Sequence, residues 1–159
     1  AKEADLHLPV IQSIMRSNQV HVQRAIDEIV ETGRKRVGLL GFSFKAGTDD
    51  LRESPLVILA EALLGKGFQL RIFDRNVSLA RLVGANRRYI EEQIPHLSAL
   101  LRGTIEEVID ESDVVVIGNA SPEFGEAVLR CRPDQVVLDL VRVPIDSSRL
   151  AAEYRGICW

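Results

Sequence analysis

The sequence predicts an α/β protein: a parallel sheet of about five strands lying between two layers of helices, preceded by one long helix. Three observations point there. Short strand-like stretches at Val37–Leu40, Gln69–Phe73, Asp113–Ile117 and Val136–Leu140 alternate with helix-length stretches, the spacing of strand–helix–strand units. Asp113–Ile117 is continuously apolar and β-branched after its first residue, the pattern of a strand buried on both faces in a parallel sheet. Ser54–Pro55 and Ser121–Pro122 each open a helical pattern. Serine is a good N-cap, and proline suits the first helical position, where its missing N–H would have no partner.

The elements follow in order. From Pro9 to Thr32, residues Ile11, Met15, Asn18, Val22, Ile26 and Ile29 recur at spacings of three and four, one stripe of an amphipathic helix. Gly33 ends it, and Arg34–Lys35–Arg36 follow where the helix dipole favours cations. At 1.5 Å per residue such a helix is ~35 Å long, so part of it is expected to pack against something outside the chain. The alternative is a helix folded back on its own sheet. Val37–Leu40, closing at Gly41, is the first strand. Pro55–Leu64 carries Leu56, Leu59, Ala60 and Leu63 on one face and ends at Gly65 and Gly67. Gln69–Phe73 is the second strand, closed by Asp74. Val77–Val83 and Asn86–Ile94 are short helical candidates split by Gly84 and stopped before Pro95. Thr104 and Glu107 have capping-box spacing for another short helix. Asp113–Ile117, a helix from Pro122 to about Cys131, and the strand Val136–Leu140 come next, and Gly156–Trp159 adds a short last strand. Each crossover is expected to be right-handed. The whole reads as a Rossmann-like three-layer sandwich, without internal repeats or low-complexity linkers.

Composition narrows the function classes. The 159 residues suit one domain with room for an appended element. A net charge of −3, with basic residues interspersed among acids and few aromatics, gives no nucleic-acid footprint. Cys131 and Cys158 make no disulfide framework and fit a reducing, cytoplasmic setting. No stretch has the roughly 18 apolar residues of a membrane helix, and no signal peptide is visible. The chain starts without Met and in mid-pattern, so a piece of a longer polypeptide is expected.

In an open parallel sheet, ligands sit beyond the carboxyl ends of the strands, near the switch in strand order. Phe42–Glu53, Asp74, Gly118–Ser121 and Leu140–Pro144 fall there. The first is densest in functional groups. It spans about a dozen residues where strand-to-helix loops usually run about 2–6. Lys45 is a mobile point charge able to reach a phosphate, carboxylate or sugar hydroxyl; the alternative is a solvated surface lysine. Arg52 offers a planar fork for carboxylate or phosphate, or an ion pair with Asp49, Asp50 or Glu53. Asp49 and Asp50 lack His or Cys partners at ligand spacing. They are expected to hold the loop through backbone N–H groups with Thr48, not to bind a metal. Phe42 and Phe44 read first as packing residues. Asp74 could hold ribose hydroxyls or cap a turn, but GLLGFSF lacks the GxGxxG of a dinucleotide site. Arg142 follows the Val136–Leu140 strand and could meet a sugar or diphosphate. Neither cysteine is flanked by a plausible base, so both are expected to be structural.

The twelve residues FKAGTDDLRESP, Phe44 to Pro55, resemble the signature FKxxTDDxRxSP of the C-terminal domain of the UDP-glucose/GDP-mannose dehydrogenase family. The flanking SFKAGTDDLRESPLVILAEALLGKG and the terminal GICW resemble the GDP-mannose members most, and the resemblance extends over essentially the whole chain. It implies an enzyme that oxidises the sugar C6 alcohol of a nucleotide sugar, GDP-mannose above a UDP-sugar, to a carboxylate. Two hydrides pass to NAD, and a cysteine captures the intermediate aldehyde. The NAD fingerprint and the cysteine motif are both absent from this chain. The resemblance therefore implies a C-terminal nucleotide-sugar-binding domain over residues 34–159, with residues 1–33 ending a central domain that makes a homodimer. It implies substrate contacts at Phe44, through backbone, at Lys45 and at Arg142, and a cofactor contact at Arg52. Alginate-type polysaccharide biosynthesis would be the setting. The different reading is a stand-alone nucleotide-binding or regulatory α/β module without catalysis, which would need no other domains.

Overall fold

The structure, a computed structural model, describes residues 9–43, 51, 54–77 and 97–157. A five-stranded, all-parallel sheet has the order β2-β1-β3-β4-β5. Its strands are β1 (Arg36–Leu40), β2 (Gln69–Phe73), β3 (Val114–Ile117), β4 (Val136–Asp139) and β5 (Glu153–Gly156). The helices are α1 (Pro9–Glu31), α2 (Pro55–Gly65), α3 (Leu97–Leu100), α4 (Ile105–Asp110) and α5 (Pro122–Val128).

Side chains alternate along each strand, and the two faces bury different helices. Val37, Leu39, Val114 and Val116 pack with Ala25, Ile26 and Ile29 of α1 and with Leu56, Leu59, Ala60 and Leu63 of α2. Leu40, Val115, Ile117 and Val137 pack with Val108 and Ile109 of α4 and with Phe124, Ala127 and Val128 of α5. Phe73 meets Phe124 edge-to-face, with centroids 6.4 Å apart at 80°. That is the geometry the ring quadrupoles favour.

The long helix folds back on its own sheet in its last turns only. Its last turns, through Ala25, Ile26 and Ile29, fold back on the sheet and on α2. Upstream, Ile14 and Val20 are 55 % and 61 % exposed. Gly33 ends the helix at φ +68°, as a C′ glycine does. The cations after it make specific contacts rather than merely facing the helix end. Arg34 donates to the carbonyls of Asp113, at 3.3 Å, and Asp134. Lys35 Nζ lies 4.1 Å from the centroid of Phe68. Arg36 pairs with Asp113, and its hydrogen-bonded guanidinium holds that carboxyl below the usual carboxylate range.

The caps largely follow the sequence. Ser54 accepts from the N–H of Leu56, with Pro55 at the first position of α2. Thr104 accepts from the N–H of Glu107, and Glu107 Oε2 accepts from Gly103 N at 2.9 Å. The reciprocal bond thus lands one residue upstream of the usual capping-box target. Ser121 differs: its side chain makes no cap bond, and its backbone carbonyl accepts from Phe124 N instead.

The carboxyl side of the fold departs most from expectation. β4 stops at Asp139, and β5 runs over Glu153–Gly156 instead of Gly156–Trp159. Among the described residues β5 pairs only with β4, and it is half exposed, so no apolar run marks it. α3 and a 3₁₀ turn at Ser147–Arg149, capped by Asp146, were not expected. The helical candidates Val77–Val83 and Asn86–Ile94 lie, beyond Val77 itself, outside the described residues. No helix among the described residues is long and apolar enough to cross a membrane.

Candidate functional site

From the centre of the sheet the chain runs outward to β2 on one side of β1 and to β4 on the other side of β3. The switch in strand order therefore lies between β1 and β3, and the crevice beyond their carboxyl ends is the expected ligand position. Two loops flank it, and a buried carboxylate ties each one down.

The first loop leaves β1 at Gly41, whose N–H donates to Phe73 O at 2.8 Å. Gly41 has φ +87°, and a Cβ there would lie 2.5 Å from Asn119 Cγ. Both the backbone and the neighbour demand glycine. Gly118, just after β3, is constrained by its neighbours alone: a Cβ there would lie 2.6 Å from Leu56 Cδ1 and 2.7 Å from Gly41 O. With no side chains between them, the two turns approach closely.

Asp74 ends β2 and is 7 % exposed. Its Oδ2 accepts from Phe42 N, Ser43 N and Ser43 Oγ, each at 2.8 Å, and its Oδ1 accepts from Asn76 N at 2.9 Å. Of the two roles weighed for Asp74, this is the turn cap, because four donors already occupy the carboxylate. Asn119 Nδ2 donates to Ser43 Oγ at 3.3 Å, joining β3 to the same knot. Phe42 is fully buried, as a packing residue is. At the far end of the loop, Ser54 Oγ donates to Phe42 O at 3.1 Å, and Leu51 is buried in the core shared with α2. Both ends of the segment from Ser43 to Ser54 are thus held against the same point of the sheet. Phe44, Lys45, Thr48, Asp49, Asp50 and Arg52 lie outside the described residues.

The second loop follows β4. Asp139 is fully buried. Its carboxylate accepts from Val141 N, Arg142 N and Val143 N, each at 2.8 Å, and from Tyr154 Oη at 2.6 Å. Burial, together with donation to Asp139, pushes the Tyr154 hydroxyl pKa upward. Arg142 is exposed and has φ +57°. It borders a hollow of about 400 Å³ with Pro144, Ser147 and Tyr154. An apolar pocket of about 270 Å³ lies beside it, between Val22 and Ala25 of α1, Leu56 and Leu59 of α2, and Leu140 and Ile157. Cys131 is buried, which raises its thiol to a pKa of about 11. It is therefore a neutral thiol near neutrality and has the structural character expected of it. Cys158 lies outside the described residues.

Sequence reasoning missed Asp139, Tyr154 and the knot of Ser43 with Asn119. One signal was present. IFD and VLD each end an apolar strand in an acid, and both acids fold back onto loop amides.

The family model described as "UDP-glucose/GDP-mannose dehydrogenase family, UDP binding domain" matches residues 38–144. The chain belongs to this family. The match starts within β1 and ends with the Asp139 loop, so it takes in both tethered loops. GDP-mannose 6-dehydrogenase of Pseudomonas aeruginosa is 51 % identical over 159 residues, covering 100 % of this chain and 36 % of that protein. The enzyme of the same name from Azotobacter vinelandii is 52 % identical over 155 residues, covering 98 % and 35 %. The crystal structure of a ternary complex of GDP-mannose dehydrogenase from Pseudomonas aeruginosa aligns with a TM-score of 0.83 at 51 % identity, over 100 % of this chain and 36 % of that one. This family member thus spans about a third of the length of the curated relatives it matches.

Proposed function

We propose that this chain is the C-terminal nucleotide-sugar-binding domain of an NAD-dependent 6-dehydrogenase that oxidises GDP-mannose to GDP-mannuronate in the cytoplasm. The observation that carries the reading is the tethering of both ends of the segment 43–54 at the switch in strand order, through Asp74 and Ser54. That segment holds FKAGTDDLRES, residues 44–54, the densest set of charged groups at this edge. Identity of 51–52 % to two GDP-mannose 6-dehydrogenases supports guanine over uracil.

In this reading Lys45 and the backbone at Phe44 contact the nucleotide sugar from the first loop, and Arg142 contacts it from the second. Cations suit a diphosphate, and arginine can grip it with two donors. Arg52 faces the cofactor. NAD itself does not fit the edge of this domain: the β1 turn lacks GxGxxG, and four protein donors occupy Asp74. NAD therefore belongs to another part of the polypeptide, as does the catalytic cysteine. Residues 1–33 close a central dimerisation domain, a reading supported by the exposure of Ile14 and Val20. The remaining domains of the same polypeptide and a second copy are the expected partners.

Steady-state kinetics of the complete polypeptide test this. A lost charged hydrogen bond is worth about 1.5–3 kcal/mol, so Lys45→Ala should raise the KM for GDP-mannose by about 10- to 100-fold and leave the KM for NAD near wild type. Arg52→Ala should weaken NAD more than sugar nucleotide. An unchanged KM for GDP-mannose in Lys45→Ala would overturn the assignment of the loop.

A further inference from the structure

We propose that Asp139 and Tyr154 are positioning residues that hold Arg142 in a left-handed backbone conformation and so aim its guanidinium at the nucleotide sugar. The aiming rests on the substrate role given to Arg142 above; the left-handed hold does not. Arg142, at φ +57°, is the only non-glycine residue with positive φ among the described residues. A side chain in that region is disfavoured by contact of Cβ with the following carbonyl. Such a conformation persists only where the surroundings over-determine it. Here they do. Three consecutive N–H groups, of Val141, Arg142 and Val143, converge on the one carboxylate of Asp139 at 2.8 Å, which requires the chain to curl around it.

Tyr154 supplies the fourth donor, and it is the only one of the four from outside the loop. It sits on β5, beside Val137 of β4 in the register, and donates to Asp139 Oδ2 at 2.6 Å. That oxygen also receives Val143 N, so the hydroxyl fixes the carboxylate rotamer on which the curl is built. The residue at the strained position decides the interpretation. A glycine at 142 would make the same turn without strain. Arginine there costs stability and places a cation at the loop tip, beside the hollow lined by Pro144, Ser147 and Tyr154. The three loop amides already hold Asp139, so the anion-binding capacity of this turn rests on the Arg142 side chain and not on its backbone.

The test is a double-mutant cycle in the complete polypeptide. Arg142→Ala should raise the KM for GDP-mannose at least tenfold. Tyr154→Phe, which keeps the ring and removes only the hydroxyl, should raise that KM about fivefold and leave kcat and the KM for NAD unchanged. In the Arg142→Ala background, Tyr154→Phe should add nothing further. If Tyr154→Phe raises the KM equally in both backgrounds, or in neither, positioning through Arg142 is refuted while the substrate role of Arg142 stands. If Arg142→Ala alone keeps the wild-type KM, the substrate role fails, and the aiming with it. Thermal denaturation checks the strain without any ligand. Arg142→Gly should melt above Arg142→Ala, because only glycine adopts this backbone freely. The reverse order would show that the backbone at 142 is not held in the left-handed region.

Discussion

Asp74→Ala is expected to destabilise the domain by about 3–5 kcal/mol in urea denaturation. The substitution strands the N–H groups of Phe42 and Ser43, both in fully buried residues, and leaves the Ser43 hydroxyl without its acceptor. An unsatisfied buried donor costs about 1–3 kcal/mol. Asp74→Asn separates charge from shape. Its single carbonyl oxygen can still face Phe42 N and Ser43 N, while its amide must turn toward Asn76 N, which is itself a donor. About 1–2 kcal/mol is expected for that change. Function should follow stability at this position: Phe44 and Lys45 follow Ser43 directly in the sequence, so the KM for GDP-mannose should rise with each substitution. A loss under about 1 kcal/mol in Asp74→Ala would mean that the knot is not what fixes the loop.

Gly41→Ala is the second large effect. The left-handed backbone costs any L side chain about 1–2 kcal/mol. The new methyl would also lie 2.5–2.6 Å from the side-chain amide of Asn119. Its neighbour must move, and overpacking of this kind typically costs about 1–3 kcal/mol more. Displacing Asn119 also breaks its bond to Ser43 Oγ. The sum is about 2–5 kcal/mol, read from chemical denaturation. Asn119→Ala should relieve the clash but not the backbone cost, so the double variant should be more stable than the two single losses added together. Strict additivity would show that Asn119 is not the obstruction.

The difference between what the sequence disclosed and what it hid is physical. β1, β3 and β4 are buried on both faces, so their apolar residues stand out, and the N-terminal ends of α2 and α4 carry side-chain caps that use local spacing. β5 is an edge strand with Tyr154 and Arg155 half buried, and nothing in EYRG separates it from a loop. The position of the first candidate loop was legible from its length and its place after a strand. What holds it was not, because Asp74 and Asn119 reach Ser43 across 31 and 76 residues of sequence. Arg142 was legible as a cation after a strand. Its left-handed backbone was not, because nothing in the run VRVP signals positive φ, and the cause is a carboxylate three residues earlier held by a tyrosine fifteen residues beyond that carboxylate.

The most direct measurement of the central claim is hydrogen exchange of the complete polypeptide, read by mass spectrometry with and without GDP-mannose and, in parallel, UDP-glucose. Saturating GDP-mannose is expected to slow exchange in both tethered loops, residues 42–54 and 139–144, and UDP-glucose to do so more weakly. GDP-mannose bound at saturation with neither loop protected would contradict it.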